Sequence, residues 1–192
     1  MSRPFASKKE RYEVGKHLVL ILRELAHSLA LDVDEYGWVS IEAVLKEMKV
    51  LYPWIDSTHI TEVVEKDAQK RFEISGNRIR AKAGHRYDVS VPSPPIEPPE
   101  FLYHGTTYEA SKQISVSGIK RMGKAYVHLT TTVERARRIG RRKTEQPVIL
   151  RIDARRAFED GVRFWRSGQA SPDGEIILSD EIPPVYVAEI SD

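Results

Sequence analysis

From Arg11 to Leu31, "RYEVGKHLVLILRELAHSLAL", apolar residues recur every three or four positions, which predicts an amphipathic helix. Two shorter stretches repeat the pattern. "SIEAVLKEM" starts at Ser40, a hydroxyl suited to capping a helix, and "STHITEVVEKD" offers Ser57 or Thr58 in the same role. At Arg71 the period drops to two: "RFEISGNRIRA" alternates around Ser75-Gly76-Asn77 and predicts a β-hairpin. Three helices followed by a hairpin is the element order of a winged helix, a fold that serves both nucleic-acid binding and protein contact.

"VPSPPIEPPE", residues 91–100, holds five prolines and can continue neither a helix nor a central strand. It divides the chain into residues 1–90, a linker over 91–100, and residues 101–192. Beyond it, short apolar runs predict strands at 101–104, 125–129, 147–153, 162–165, 175–178 and 185–190, with helices at 108–117 and 132–143. The whole reads as α+β, its second half built on a mixed or antiparallel sheet. Neither the glycine-rich turn of a dinucleotide-binding Rossmann unit nor a P-loop occurs.

Composition narrows the chemistry. The chain has 192 residues, 41% hydrophobic and 30% charged, as in ordinary globular proteins. Its zero cysteines exclude disulfides, thiolate catalysis and Cys-ligated zinc. No apolar run has membrane-spanning length, and the N-terminus lacks the apolar core of a secretory signal, so a cytoplasmic protein without membrane contact is expected. The net charge of +2 hides a local imbalance: residues 120–143 carry nine Lys/Arg and one acid, Glu134. A solubilising surface mixes signs, so this run points to phosphate-bearing partners.

Two strand ends stand out. "FLYHGTT" places His104 before Gly105, Thr106 and Thr107, and "YVHLT" places His128 before Thr130. Imidazoles and hydroxyls at two strand ends either build one polar pocket or merely finish two strands. No metal-ligand spacing accompanies them.

The stretches "YHGTT", "GIKRMGKAYVHLT", "GRRKTEQPVIL" and "GVRFWRS", with "LILRELAHSLALDVDEYGWVSIEAVL" and "KRFEISGNRIRAKAGH" before them, resemble the RNA 2′-phosphotransferases of tRNA splicing in order and spacing across nearly the whole chain. The resemblance implies an N-terminal winged-helix-like lobe that binds RNA and a C-terminal ADP-ribosyltransferase-like lobe that binds NAD⁺ as co-substrate. It implies that the internal 2′-phosphate of a spliced RNA, tRNA foremost, attacks NAD⁺ and forms an RNA-2′-phospho-ADP-ribose intermediate. Resolution then gives 2′-OH RNA, nicotinamide and ADP-ribose 1″,2″-cyclic phosphate, with no metal and no obligate protein partner.

Site residues come from the same resemblance. His104, Gly105, Thr106, Thr107, His128 and Thr130 would line the NAD⁺ cleft, with Ile176 or Ile177 at its apolar position. Arg23, Arg71 and Arg142 would grip the phosphate, Arg141 being the alternative register for the last. Lys82, His85 and Arg86, with Arg138 and Arg141, are candidate RNA contacts. The pattern breaks at Glu24, where the family has histidine. A carboxylate there repels phosphate unless it turns outward or pairs with an arginine. His27, one turn beyond Arg23, is the candidate replacement imidazole. Glu175 could instead mimic the glutamate of protein-modifying ADP-ribosyltransferases. Two other functions fit the same residues: an ADP-ribosyltransferase acting on nucleic-acid terminal phosphates, and a non-catalytic winged-helix nucleic-acid-binding protein.

Overall fold

In a computed structural model, which describes residues 3–91 and 93–190, the chain separates into two compact units, Met1–Pro92 and Ser93–Asp192. Helices and antiparallel sheets occur in both, so the protein is of mixed α and β type.

The first unit opens with α1 (Lys8–Leu20), whose first turn is capped by the Ser7 hydroxyl accepting from the Glu10 amide. The helix expected over residues 11–31 does not run through. It passes into a π-helical turn, Ile21–Leu25, and then into turns that close at Ala30 with φ of 51°. A π-turn replaces the regular i→i+4 bonds with i→i+5 bonds, and two of its carbonyls also accept from a distant segment. Here the Arg86 amide donates to the Arg23 carbonyl at 2.8 Å and the Tyr87 hydroxyl donates to the Leu22 carbonyl at 2.5 Å.

Next come α2 (Ile41–Met48) and α3 (Ser57–Glu65). Ser40 stands at the N-cap of α2 without a side-chain bond, whereas α3 is capped by Asp56, one residue before the expected Ser57. Asp56 accepts from Thr58 and His59 amides, and the His59 ring answers the Asp56 amide, a reciprocal capping box. Strands β1 (Val39–Ser40), β2 (Phe72–Ser75) and β3 (Arg78–Ala81) form an antiparallel sheet in the order β1-β3-β2. The expected hairpin is present: Ser75 pairs with Arg78 across Gly76-Asn77, and Gly76 takes φ of 57°. Val14, Leu18, Leu22, Val44, Ile60 and Ile79 are fully buried between helices and sheet.

The second unit is a six-stranded antiparallel sheet in the order β7-β8-β5-β4-β6-β9. Its strands are β4 (Phe101–Thr106), β5 (Val127–Thr130), β6 (Val148–Asp153), β7 (Phe164–Ser171), β8 (Gly174–Ser179) and β9 (Val187–Glu189). Helix α4 (Tyr108–Ser117) occupies the expected residues, while α5 (Val133–Gly140) is shorter than 132–143. Helix α6 (Ala154–Glu159) was not expected from the sequence, because Asp153 ends β6 and caps the helix in the same step. The residues before Gly174 lengthen a β7–β8 hairpin that is bulged between Arg166 and Ala170 and closes at Ser171 opposite Gly174. Leu102, Leu129, Ile152, Phe164 and Ile177 make the core.

Candidate active site

In the second unit β4 and β5 run antiparallel as neighbours, with Tyr103 opposite Thr130. Two histidines close to that pairing therefore meet across the sheet. The His104 Nδ1–H donates to the His128 carbonyl at 3.2 Å, and the His128 Nδ1–H donates to the Tyr126 carbonyl at 3.0 Å. A ring nitrogen donating to a carbonyl must carry the proton, so each neutral ring keeps its lone pair on Nε2. Burial, reinforced by Lys143 and Lys124, holds the His104 pKa below the ordinary histidine value, and this ring stays neutral near pH 7.

Both imidazoles line one cavity of about 210 Å³, together with Thr106, Tyr126, Lys124 and Lys143. Tyr126 and Lys143 were not singled out in the sequence. Their signals were there: Tyr126 directly precedes the "VHLT" strand, and Lys143 ends the basic run.

The other residues expected around this cleft are placed differently. A Cβ at Gly105 would stand 1.9 Å from the Ala136 carbonyl oxygen, so glycine is required here for α5 to seat on β4, rather than for the approach of a ligand. Thr107 caps α4, its hydroxyl accepting from the Ala110 amide at 3.2 Å. The Thr130 hydroxyl shares its one proton between the carbonyls of Thr132 (2.9 Å) and Tyr103 (3.3 Å), so it braces the strand end. Ile176 is 7% exposed and pairs with Thr130 in the sheet. Glu175 pairs with Arg166 at 3.0 Å in an exposed ion pair.

The basic run divides along α5. Arg135 is 3% exposed and donates to the Ser171 hydroxyl and the Gly174 carbonyl, pinning the β7–β8 turn. Arg138 is committed to Asp173, with Nε at 2.6 Å and Nη2 at 2.9 Å from its carboxylate. Arg141 caps the C-terminal end of α5, and both Arg141 and Arg142 are exposed, with no ion pair among the described residues.

In the first unit Arg23 sits on the π-turn. Its guanidinium covers Gly84, where a Cβ would stand 3.1 Å from Cζ and where φ is 93°. Glu24 is paired outward, its carboxylate 3.3 Å from Arg86 Nε, with both side chains about half exposed. His27 lies edge-on to Tyr87, ring centroids 4.6 Å apart, so Arg23 and His27 both face the segment 84–87. His85 is 5% exposed beside Arg23 and 5.2 Å from the Tyr87 ring, an inward position; Arg86 is the solvent-facing member of that pair. Burial first, then the charges of Arg23 and Arg80, lower the His85 pKa to about 4. The Lys82 amide donates to the Arg71 carbonyl at 2.8 Å. Arg71 is held by Asp67, an acid that no sequence motif marks.

A model of the RNA 2′-phosphotransferase, Tpt1 / KptA family, matches residues 9–172. The chain is 35% identical over 180 residues to a probable RNA 2′-phosphotransferase 1 of Archaeoglobus fulgidus, covering 93% of this chain and 81% of that one. It is 39% identical over 159 residues to a probable RNA 2′-phosphotransferase of Pyrococcus horikoshii (83% and 90% covered). A protein of that name from Rhizobium leguminosarum is 36% identical over 176 residues, with 92% of each chain covered.

Proposed function

We propose a two-step phosphate transfer to NAD⁺ for this chain, which belongs to the RNA 2′-phosphotransferase, Tpt1 / KptA family. The family makes it an RNA-modifying transferase. In step one of the proposed reaction an internal 2′-phosphate of RNA, a spliced tRNA in the first instance, bonds to C1″ of the nicotinamide ribose. The C1″–N bond breaks and nicotinamide leaves with the electron pair. In step two the ribose O2″ attacks phosphorus, the bond from phosphorus to the RNA O2′ breaks, and one proton passes from O2″ to O2′. The products are 2′-OH RNA, nicotinamide and ADP-ribose 1″,2″-cyclic phosphate.

The chemical demands of the two steps differ. A phosphate monoester carries about −1.5 to −2 charge at neutral pH, so the nucleophile is already ionised and needs no base. Step one is therefore a matter of holding two partners in line. Step two develops charge at phosphorus and needs a proton moved, so cationic donors and an imidazole matter there.

The observation that carries the reading is the pair of imidazoles inside the neighbouring strands β4 and β5, each with Nδ1 donating to a backbone carbonyl, on one cavity. Two Nε2 lone pairs suit the hydroxyl donors of a ribose. Lys124 and Lys143 bring positive charge to the same wall, where a pyrophosphate would be neutralised. In this reading the first unit is a winged-helix-like RNA lobe and the second an ADP-ribosyltransferase-like lobe. Arg23 and Arg71 from the first, and Arg142 from the second, act on the phosphate. His27 supplies the imidazole of step two. Glu24 is paired with Arg86, which offsets its charge beside the phosphate-binding residues.

The test is incubation of an internally 2′-phosphorylated oligonucleotide with NAD⁺, resolving substrate, ADP-ribosylated RNA and dephosphorylated product. Conversion to 2′-OH RNA with one nicotinamide released per phosphate is expected. Arrest at ADP-ribosylated RNA would favour the second reading, an ADP-ribosyltransferase acting on nucleic-acid phosphates, for which Glu24 in the family's histidine position is the specific support. No nicotinamide release at all would overturn both.

A further inference from the structure

Arg71 reaches solvent from a position that one carboxylate defines. The Arg71 Nε lies 3.1 and 3.2 Å from the two Asp67 oxygens, and Nη2 lies 2.8 Å from Oδ1. Asp67 also accepts the Arg71 backbone N–H at 2.6 Å, and its side chain is 6% exposed. A guanidinium presents two edges with paired donors, the side edge through Nε and the end through both Nη atoms. Asp67 occupies the side edge.

The backbone holds this arrangement in place. Lys70 takes φ of 50°, a conformation costly for a residue with a side chain, and its amide donates to the Asp67 carbonyl at 3.0 Å. The turn from Asp67 to Lys70 thus folds the carboxylate back under Arg71. On the other side stands Gly15 of α1, where a Cβ would lie 3.9 Å from Arg71 Nη2, an ordinary contact distance. Arg71 consequently borders two neighbouring surface clefts, one beside Tyr12 and Lys66, the other beside Lys16 and Glu24.

We propose that Asp67 is the positioning residue for Arg71: it binds the Nε/Nη2 edge and turns the Nη1/Nη2 end toward the RNA phosphate. The inference rests on the proposed role of Arg71 at that phosphate. It goes further in naming which edge stays available and which residue keeps it so. Losing the carboxylate leaves the charge of Arg71 in place but frees its plane, and misplacing a catalytic group by about 1 Å costs on the order of a hundredfold. A structural ion pair alone would lower stability without touching the rate of the folded fraction.

A double-mutant cycle tests this, with single-turnover rates of each step measured on 2′-phosphorylated RNA for the parent, Asp67→Asn, Arg71→Ala and both together. Thermal melting and the KM for NAD⁺ are followed alongside, so that folded fractions are compared. Asp67→Asn is expected to slow the phosphate-dependent steps about tenfold or more, with the KM for NAD⁺ unchanged. In the Arg71→Ala background the same change should have no further effect, because a positioning residue has nothing left to position. Asp67→Glu, which keeps the charge and the fold but moves the carboxylate, should also slow the reaction. Equal slowing by Asp67→Asn in both backgrounds would overturn the proposal, as would full activity in Asp67→Asn. If Arg71→Ala is itself fully active, the role given to Arg71 fails instead, while the parent's turnover still stands.

Discussion

His85 is an imidazole enclosed where a positive charge finds no solvation, next to two guanidinium groups. Its pKa is lowered from 6.5 to about 4, so between those values the unfolded chain binds a proton that the folded chain does not. Stability therefore rises with pH across that window and is lost as pH falls through it, by about 3 kcal/mol in total. Denaturant unfolding of the parent at pH 7 and pH 4.5 should show this loss, and His85→Gln should show a smaller one. An identical pH dependence in both would contradict the burial of this ring. His27 is exposed and lies edge-on to Tyr87. If it donates the proton of step two, His27→Ala should slow that step by about a hundredfold, let ADP-ribosylated RNA accumulate, and leave step one intact. A second step as fast as the parent's would remove His27 from the mechanism.

At the scale of elements, packing accounts for several residues that chemistry alone would claim. Gly105 is the clearest: the carbonyl of Ala136 occupies the place of a side chain, so Gly105→Ala must push α5 off β4. Overpacking of this kind costs roughly 1–3 kcal/mol or more, and a lowered melting temperature is the expected outcome. A Gly105→Ala protein that melts with the parent would return the glycine to a ligand role. The sequence made the hairpin at Gly76-Asn77 and helix α4 readable because their determinants are local: a two-residue turn with a left-handed glycine, and a threonine cap. The π-turn at Arg23 was not readable, since it depends on donors from Arg86 and Tyr87, more than sixty positions away. Distance in sequence also concealed the Arg135 anchor on Ser171 and Gly174, and with it the division of α5 into a structural and an exposed arginine end. His104 and His128 could be picked from their sequence motifs, but the bond from the His104 ring to the His128 carbonyl required the register of β4 on β5.

Across the whole molecule the candidate groups are distributed: Arg23, Asp67 and Arg71 belong to Met1–Pro92, and His104, His128, Lys143 and Arg142 to Ser93–Asp192. Each unit has its own buried apolar cluster. No helix among the described residues is long and apolar enough to cross a membrane. Because the proposed reaction draws on residues of both units, residues 1–92 and 93–192 made as separate chains should each be inactive on 2′-phosphorylated RNA, and activity from either one alone would refute that assignment of roles.

The central proposition is that arginine side chains steer an RNA phosphate onto a nicotinamide ribose seated by two histidines. Nicotinamide release from NAD⁺ by the full chain, measured with and without an internal 2′-phosphate on the same oligonucleotide, addresses it most directly. Release that requires the phosphate, matches it in amount, and falls at least tenfold in His104→Ala is the predicted result. Release that ignores the phosphate, or none in its presence, would contradict it.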